Sequence, residues 1–124
     1  MTIDKKRVDA LIPEAYKALA DVEIAENGKL DKGYRGQIAA FGAAISMGSV
    51  LSAVSFFSKK ANASDQKRED EGYDRSKLMR AIEILLKVEK DKLFQHAQKP
   101  EAKDEILHAA IALKLAMNLY DWGE

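Results

Sequence analysis

The 124-residue chain contains no cysteine, which removes disulfides, thiolate metal sites and cysteine nucleophiles together and fits a reducing cytoplasm. It carries no net charge either. Its 20 Lys and Arg cancel its 20 Asp and Glu, so the whole molecule argues neither for nor against a nucleic-acid partner, and only local clusters can speak. Two prolines and seven glycines leave few strand boundaries, and no Val/Ile/Thr alternation supports a sheet. No repeat is visible at solenoid periods. Lys5-Lys6-Arg7 is followed within seven residues by Asp9, Pro13 and Glu14 rather than by an apolar run, so no signal peptide is expected.

Charge is most conspicuously missing from residues 36–58, a stretch of 23 that holds three glycines and five serines. About twenty apolar residues suffice to cross a bilayer. Gln37 and the serines lower the hydrophobicity here, however, Gly48-Ser49 invites a break, and Lys32 and Arg35 before it balance Lys59-Lys60 after it, which gives no orientation bias. The expectation is therefore a buried helical pair. Gly36, Ala40, Ala44, Gly48 and Ser52 recur every four residues, a ridge of minimal side chains along which another backbone can approach closely.

Length allows one domain, residues 1–124, burying roughly 65% of the surface its unfolded chain exposes. Helical periodicity predicts a first helix from about Asp4 to Glu26 along Val8, Leu11, Ile12, Ala15, Leu19 and Val22, with Pro13 starting a new helix or kinking this one. Asn27-Gly28 reads as a left-handed helix stop, and Leu30 to Gly33 as a short turn with Asp31 capping the next helix. A second helix is expected from Lys32 to Met47, burying Tyr34, Ile38, Phe41 and Ile45, and a third from Val50 to Lys59 on Val50, Leu51, Val54 and Phe57.

Residues 59–71 hold eight charged groups and no large apolar side chain, which predicts a solvated loop or frayed helix end over about 59–73. Asp74 or Ser76 is placed to cap a fourth helix carrying Leu78, Met79, Ile82, Leu85 and Leu86, and Leu93 and Phe94 anchor a short fifth. Pro100 suits the first position of a last helix along Ile106, Ala110, Leu113, Met117 and Tyr120, with Trp122 closing on the core. The fold class is all-α, a single-domain bundle of five to six helices.

Catalytic patterns are not found. His96 and His108 fall on different helices outside any metal motif and read as surface or cap residues. Glu69, Asp70 and Glu71 have no apolar surroundings to raise a pKa for acid or base work. The glycines at 36, 42 and 48 lack the Lys-Ser/Thr of a phosphate loop, and the serines lack a nucleophile elbow. No cofactor or metal is expected.

What remains is a basic rim around the neutral window: Lys32, Arg35, Lys59, Lys60, Lys67, Arg68, Arg75, Lys77 and Arg80. From Lys59 to Arg80 seven basic residues face five acidic ones. Such a rim is either a solvated face or a row that neutralises phosphates without reading bases. Tyr34 and Tyr73 are the only aromatic residues near it, too few for a stacking platform.

The segment Tyr34-Arg35-Gly36-Gln37-Ile38-Ala39-Ala40-Phe41-Gly42-Ala43-Ala44-Ile45, with Gly48-Ser49-Val50-Leu51-Ser52-Ala53-Val54-Ser55-Phe56-Phe57 after it, resembles the characteristic segment of the fifth, small helical subunit of the Cmr complex. That complex is the type III-B CRISPR effector, which uses a guide RNA to find and destroy matching RNA. The Leu-Met-x-x-Ile-x-x-Leu-Leu spacing within Ser76 to Leu86 is similar to the family's next helix. About a third of the chain carries the likeness.

The resemblance implies a non-catalytic structural subunit, stacked in several copies beside the larger backbone subunits, whose basic face helps hold target RNA. Its partners would be other Cmr subunits, copies of itself, and guide or target RNA held weakly and without sequence preference. Lys32, Arg35, Lys59, Lys60, Arg75 and Arg80 are the residues expected to touch RNA. The localisation expected is cytoplasmic, with no membrane partner. A helical partner-binding adaptor without nucleic-acid affinity and a membrane-associated protein are the alternative classes.

Overall fold

The computed structural model of the chain describes residues 4–58 and 75–123; for residues 31, 32, 58, 75 and 121–123 it describes the backbone alone. Among them are six helices, α1 (Lys5–Asp21), α2 (Lys32–Met47), α3 (Val50–Ser58), α4 (Arg75–Leu86), α5 (Leu93–Ala97) and α6 (Ala102–Met117), and three very short strands, β1 (Ala25–Glu26), β2 (Lys29–Asp31) and β3 (Asp121–Gly123). The all-α expectation holds. The predicted loop over 59–73 lies outside the described residues.

Asp4 starts α1 by accepting the amides of Lys6 and Arg7 on its carboxylate at 3.1 and 3.3 Å, which satisfies donors that a helix start leaves orphaned. The helix runs through Pro13 rather than restarting there. The amide that Pro13 lacks would have met the carbonyl of Asp9, and both residues are exposed, where water can take that carbonyl. At its end, Ile24 N–H bonds Leu19 O and Glu23 N–H bonds Ala20 O, with Glu23 at φ 65°. This is the left-handed Schellman stop, and it falls at Glu23 rather than at Asn27-Gly28.

Asn27 and Gly28, at φ 55° and 78°, instead form the two-residue turn of a hairpin that pairs Ala25 with Leu30 and Glu26 with Lys29. Positive φ at both central positions suits the right-handed twist of the strands. The expected turn at Leu30 is thus strand β2, and β3 joins it in parallel, pairing Leu30 with Trp122. The sheet order is β1-β2-β3.

α2 has the predicted bounds and buries Tyr34, Ile38, Phe41 and Ile45 as expected. At the break after it, Ser49 Oγ accepts the amide of Ser52 at 3.0 Å and caps α3. Ala53, Val54 and Phe57 turn inward, Phe57 meeting Phe41 edge to face at 5.2 Å, whereas Leu51 stays exposed. In α4, Leu78, Met79, Ala81, Ile82 and Leu85 are buried; in α5 Leu93 is buried but Phe94 is not. Pro100 precedes α6 by two residues instead of opening it.

α6 packs against all five other helices. Its alanines at 102, 109, 110, 112 and 116 are buried, and these small side chains let neighbours approach from several directions. Among the described residues no helix is long and apolar enough to cross a membrane.

Candidate functional site

The ridge residues lie on the outside of the bundle. Gly36, Ala40, Gly48 and Ser52 are exposed and Ala44 is half-buried. Four residues advance an α-helix by one turn and about 40°, so the row winds slowly toward the core face held by Ile38, Phe41 and Ile45. Ala44 is the member nearest that face. The expected close packing of this ridge against another helix of the same chain is therefore not what the fold uses. A Cβ added at Gly36 would meet nothing within 4 Å, while one at Gly48 would come within 3.0 Å of the Ala44 carbonyl. Beside the ridge, Met47 is 85% and Phe56 58% exposed, and Leu51 is also exposed.

The side of α2 that borders α6 carries a different set of small residues. Ala39, Gly42, Ala43 and Ser46 form one wall of a cleft of about 430 Å³, with Leu107, Ala110, Ile111 and Lys114 of α6 as the other.

Of the six residues expected to touch RNA, two have described side chains; those of Lys32, Lys59, Lys60 and Arg75 lie outside the described residues. Arg35 is exposed on α2. Arg80 is half-buried, its guanidinium 3.2 Å from Glu83 Oε1. Glu83 is only 4% exposed, and its Oε2 accepts the amide of Leu93, the first residue of α5, at 3.1 Å. A buried carboxylate with both oxygens engaged is a tie between α4 and α5, and Arg80 is part of it. The adjoining cleft, about 650 Å³, mixes Lys77, Arg80 and Lys90 with Asp21, Glu83 and Asp91, so its wall has no dominant sign.

A third cleft, about 300 Å³, gathers both histidines. His108, on α6, is 3% exposed, a core position rather than the surface or cap expected of it. Its Nε2 accepts the backbone N–H of Asp4 at 3.0 Å. An accepting Nε2 holds no proton, so the neutral ring carries its hydrogen on Nδ1. That Nδ1 is buried and has no hydrogen-bond partner among the described residues, a state that costs about 1–3 kcal/mol if nothing meets it. His96 of α5 bonds Glu105 of α6 through Nε2 and Oε1 at 2.7 Å. Arg7 from α1 and Lys87 complete the polar lining, and Ala10, Leu11, Leu85 and Leu86 the apolar part.

Lys87 follows α4 at φ 60°. Its N–H bonds Ile84 O and that of Val88 bonds Glu83 O, a second Schellman stop with lysine where glycine is usual. Reading the sequence missed this cleft. Glu105 and His108 are one turn apart on a single helix face, which is visible, but their neighbours come from α1, α4 and α5. Among the described residues no group of three His, Asp or Glu could hold a metal ion.

No protein-family profile, curated protein or solved structure matches the chain.

Proposed function

We propose that this chain is a non-catalytic structural subunit of a guide-RNA-directed, RNA-targeting complex of the Cmr type, working in the cytoplasm. It stacks along the assembly through the outer face of α2 and helps hold target RNA through its basic rim. The observation that carries this reading is the placement of the small-residue ridge: Gly36, Ala40, Gly48 and Ser52 are exposed beside Met47 and Phe56. A ridge unused inside the fold is sterically open to another protein's backbone, and the segment that bears it is also the one that resembles the Cmr subunit.

A specific observation favours a second reading, an adaptor that binds protein but not RNA. Arg80 is engaged by Glu83, which withdraws one expected phosphate contact.

Reconstitution separates the two. Ala40→Leu should leave the thermal midpoint of the free chain unchanged and exclude it from the assembled complex, and omitting the chain should shorten the assembly and weaken target binding while cleavage by other subunits persists. Normal incorporation of the variant removes the stacking role. For RNA, Arg35→Gln and Lys59→Ala/Lys60→Ala should weaken binding by the complex and flatten its salt dependence by about 0.7 in log–log slope for each phosphate no longer neutralised. An unchanged slope and affinity leave the adaptor.

A further inference from the structure

We propose that His108 is a proton-operated latch on the start of α1: on gaining a proton it releases the Asp4 amide and lets the first turn of that helix come away from α6. The latch is one hydrogen bond, from the Asp4 N–H to His108 Nε2 at 3.0 Å, and it depends on a lone pair. With Nδ1 carrying the hydrogen of the neutral ring, the only place for a second proton is Nε2. A proton taken from solvent therefore turns the acceptor into a donor aimed at another donor, and the two cannot keep the 3.0 Å that now separates them.

The surroundings do not relieve the charge in place. His108 is 3% exposed, so water does not solvate an imidazolium there. The charged and titratable groups that share its cleft are Arg7 of α1, Lys87 after α4, His96 of α5 and Glu105 of α6; among the described residues α2 and α3 contribute none. Arg7 and Lys87 are cations and oppose the new charge. Glu105 is already bonded to His96 at 2.7 Å. The carboxylate left to answer is that of Asp4 itself, whose Oδ1 holds the amides of Lys6 and Arg7, and drawing it to the ring takes the cap from α1.

The helix start yields rather than the ring. Asp4, Lys5, Lys6 and Arg7 are exposed, and Val8 is the first buried residue of α1, whereas His108 stands inside α6 between buried Leu107 and Ala109. Opening one exposed terminal turn is the cheaper local movement. The other histidine of the cleft responds in the opposite sense. A proton on His96 makes its bond to Glu105 charge-assisted, so acid ties α5 more firmly to α6 while it loosens α1.

The test follows the full chain, labelled with ¹⁵N, by NMR from roughly pH 8 to roughly pH 5, the range in which imidazole takes up its proton. The His108 ring nitrogens and the Asp4 amide cross-peak should titrate together. Protection of the Lys6 and Arg7 amides, corrected for the intrinsic pH dependence of exchange, should fall by about fivefold or more, the worth of one hydrogen bond. His108→Gln offers the Asp4 amide an acceptor that does not titrate and should abolish the response. Asp4→Asn keeps a cap that does not titrate and should retain it, as should His96→Gln. A His108 ring still neutral at the acid end of that range, an Asp4 cross-peak that stays put while the ring protonates, or unchanged Lys6 and Arg7 protection overturns the proposal on the wild-type chain alone. A response that survives in His108→Gln, or is lost in Asp4→Asn, overturns it as well.

Discussion

The phenol of Tyr120 donates to the backbone carbonyl of Tyr16 at 2.6 Å, and the two rings stack with centroids 4.5 Å apart and planes 13° from parallel. The contact joins the segment entering β3 to the exposed side of α1. Tyr120→Phe keeps the stacked ring and deletes the bond, so it should cost about 1 kcal/mol. A urea midpoint indistinguishable from wild type would show that the bond contributes nothing.

The same phenol predicts how stability responds to alkali. Burial first, then the nearby Tyr16 and Asp21 charges, raise its pKa above the ordinary 10.0. The folded chain therefore keeps this proton at a pH where the unfolded chain has lost it. The stabilisation is fully present below about pH 10 and disappears as pH rises through the higher folded value. Between about pH 10 and that higher folded value wild type should lose stability with pH more steeply than Tyr120→Phe, and parallel slopes across this window would contradict the assignment.

Glu83 and Arg80 should differ in thermal melts although they bond each other. Glu83→Ala strands the amide of Leu93 at a buried position and should cost about 2–3 kcal/mol. Arg80→Gln removes a guanidinium whose side chain is 35% exposed, so solvent screening limits its loss to about 1 kcal/mol or less. Equal losses would mean that the ion pair, not the amide cap, carries the tie.

Two ridge glycines should respond with opposite signs. Gly36 lies inside α2 with open space where a Cβ would go, so Gly36→Ala should stabilise the free chain by about 0.5–1 kcal/mol through helix propensity. Gly48→Ala drives a methyl to within 3.0 Å of the Ala44 carbonyl and should destabilise by about 1 kcal/mol. Midpoints moving in the same direction would place the steric boundary elsewhere.

Glu23 closes α1 at φ 65° with an exposed side chain. A left-handed non-glycine residue costs roughly 1–2 kcal/mol, and glycine returns about half of that as chain entropy. Glu23→Gly should raise stability by about 0.5–1 kcal/mol in denaturant melts; a lower midpoint would mean that the glutamate side chain contributes a contact of its own.

Helices were legible because their apolar faces repeat locally. Tyr34, Ile38, Phe41 and Ile45 gave α2 its bounds and its inward face. Asn27-Gly28 was legible as punctuation but not as a hairpin, since β1 has only two residues and shows no alternation to read. The ridge was legible as a pattern of small side chains, but sequence spacing does not say whether such a row faces the core or solvent. That depends on which helix face is more apolar, and Ile38, Phe41 and Ile45 win it. The histidine cleft was the least legible feature: His108 is fixed by a main-chain amide from Asp4, and a backbone donor leaves no mark in residue identity.

The parallel pairing of Leu30 with Trp122 sets a timetable for folding on the ribosome. These two residues are separated by 92 positions in the chain, and α1 must likewise wait for α6, against which it packs. At roughly 5–20 residues per second, the first helix and hairpin spend about 5–20 s in the cell before α6 and β3 can pack against them. Slowing translation lengthens that interval in direct proportion.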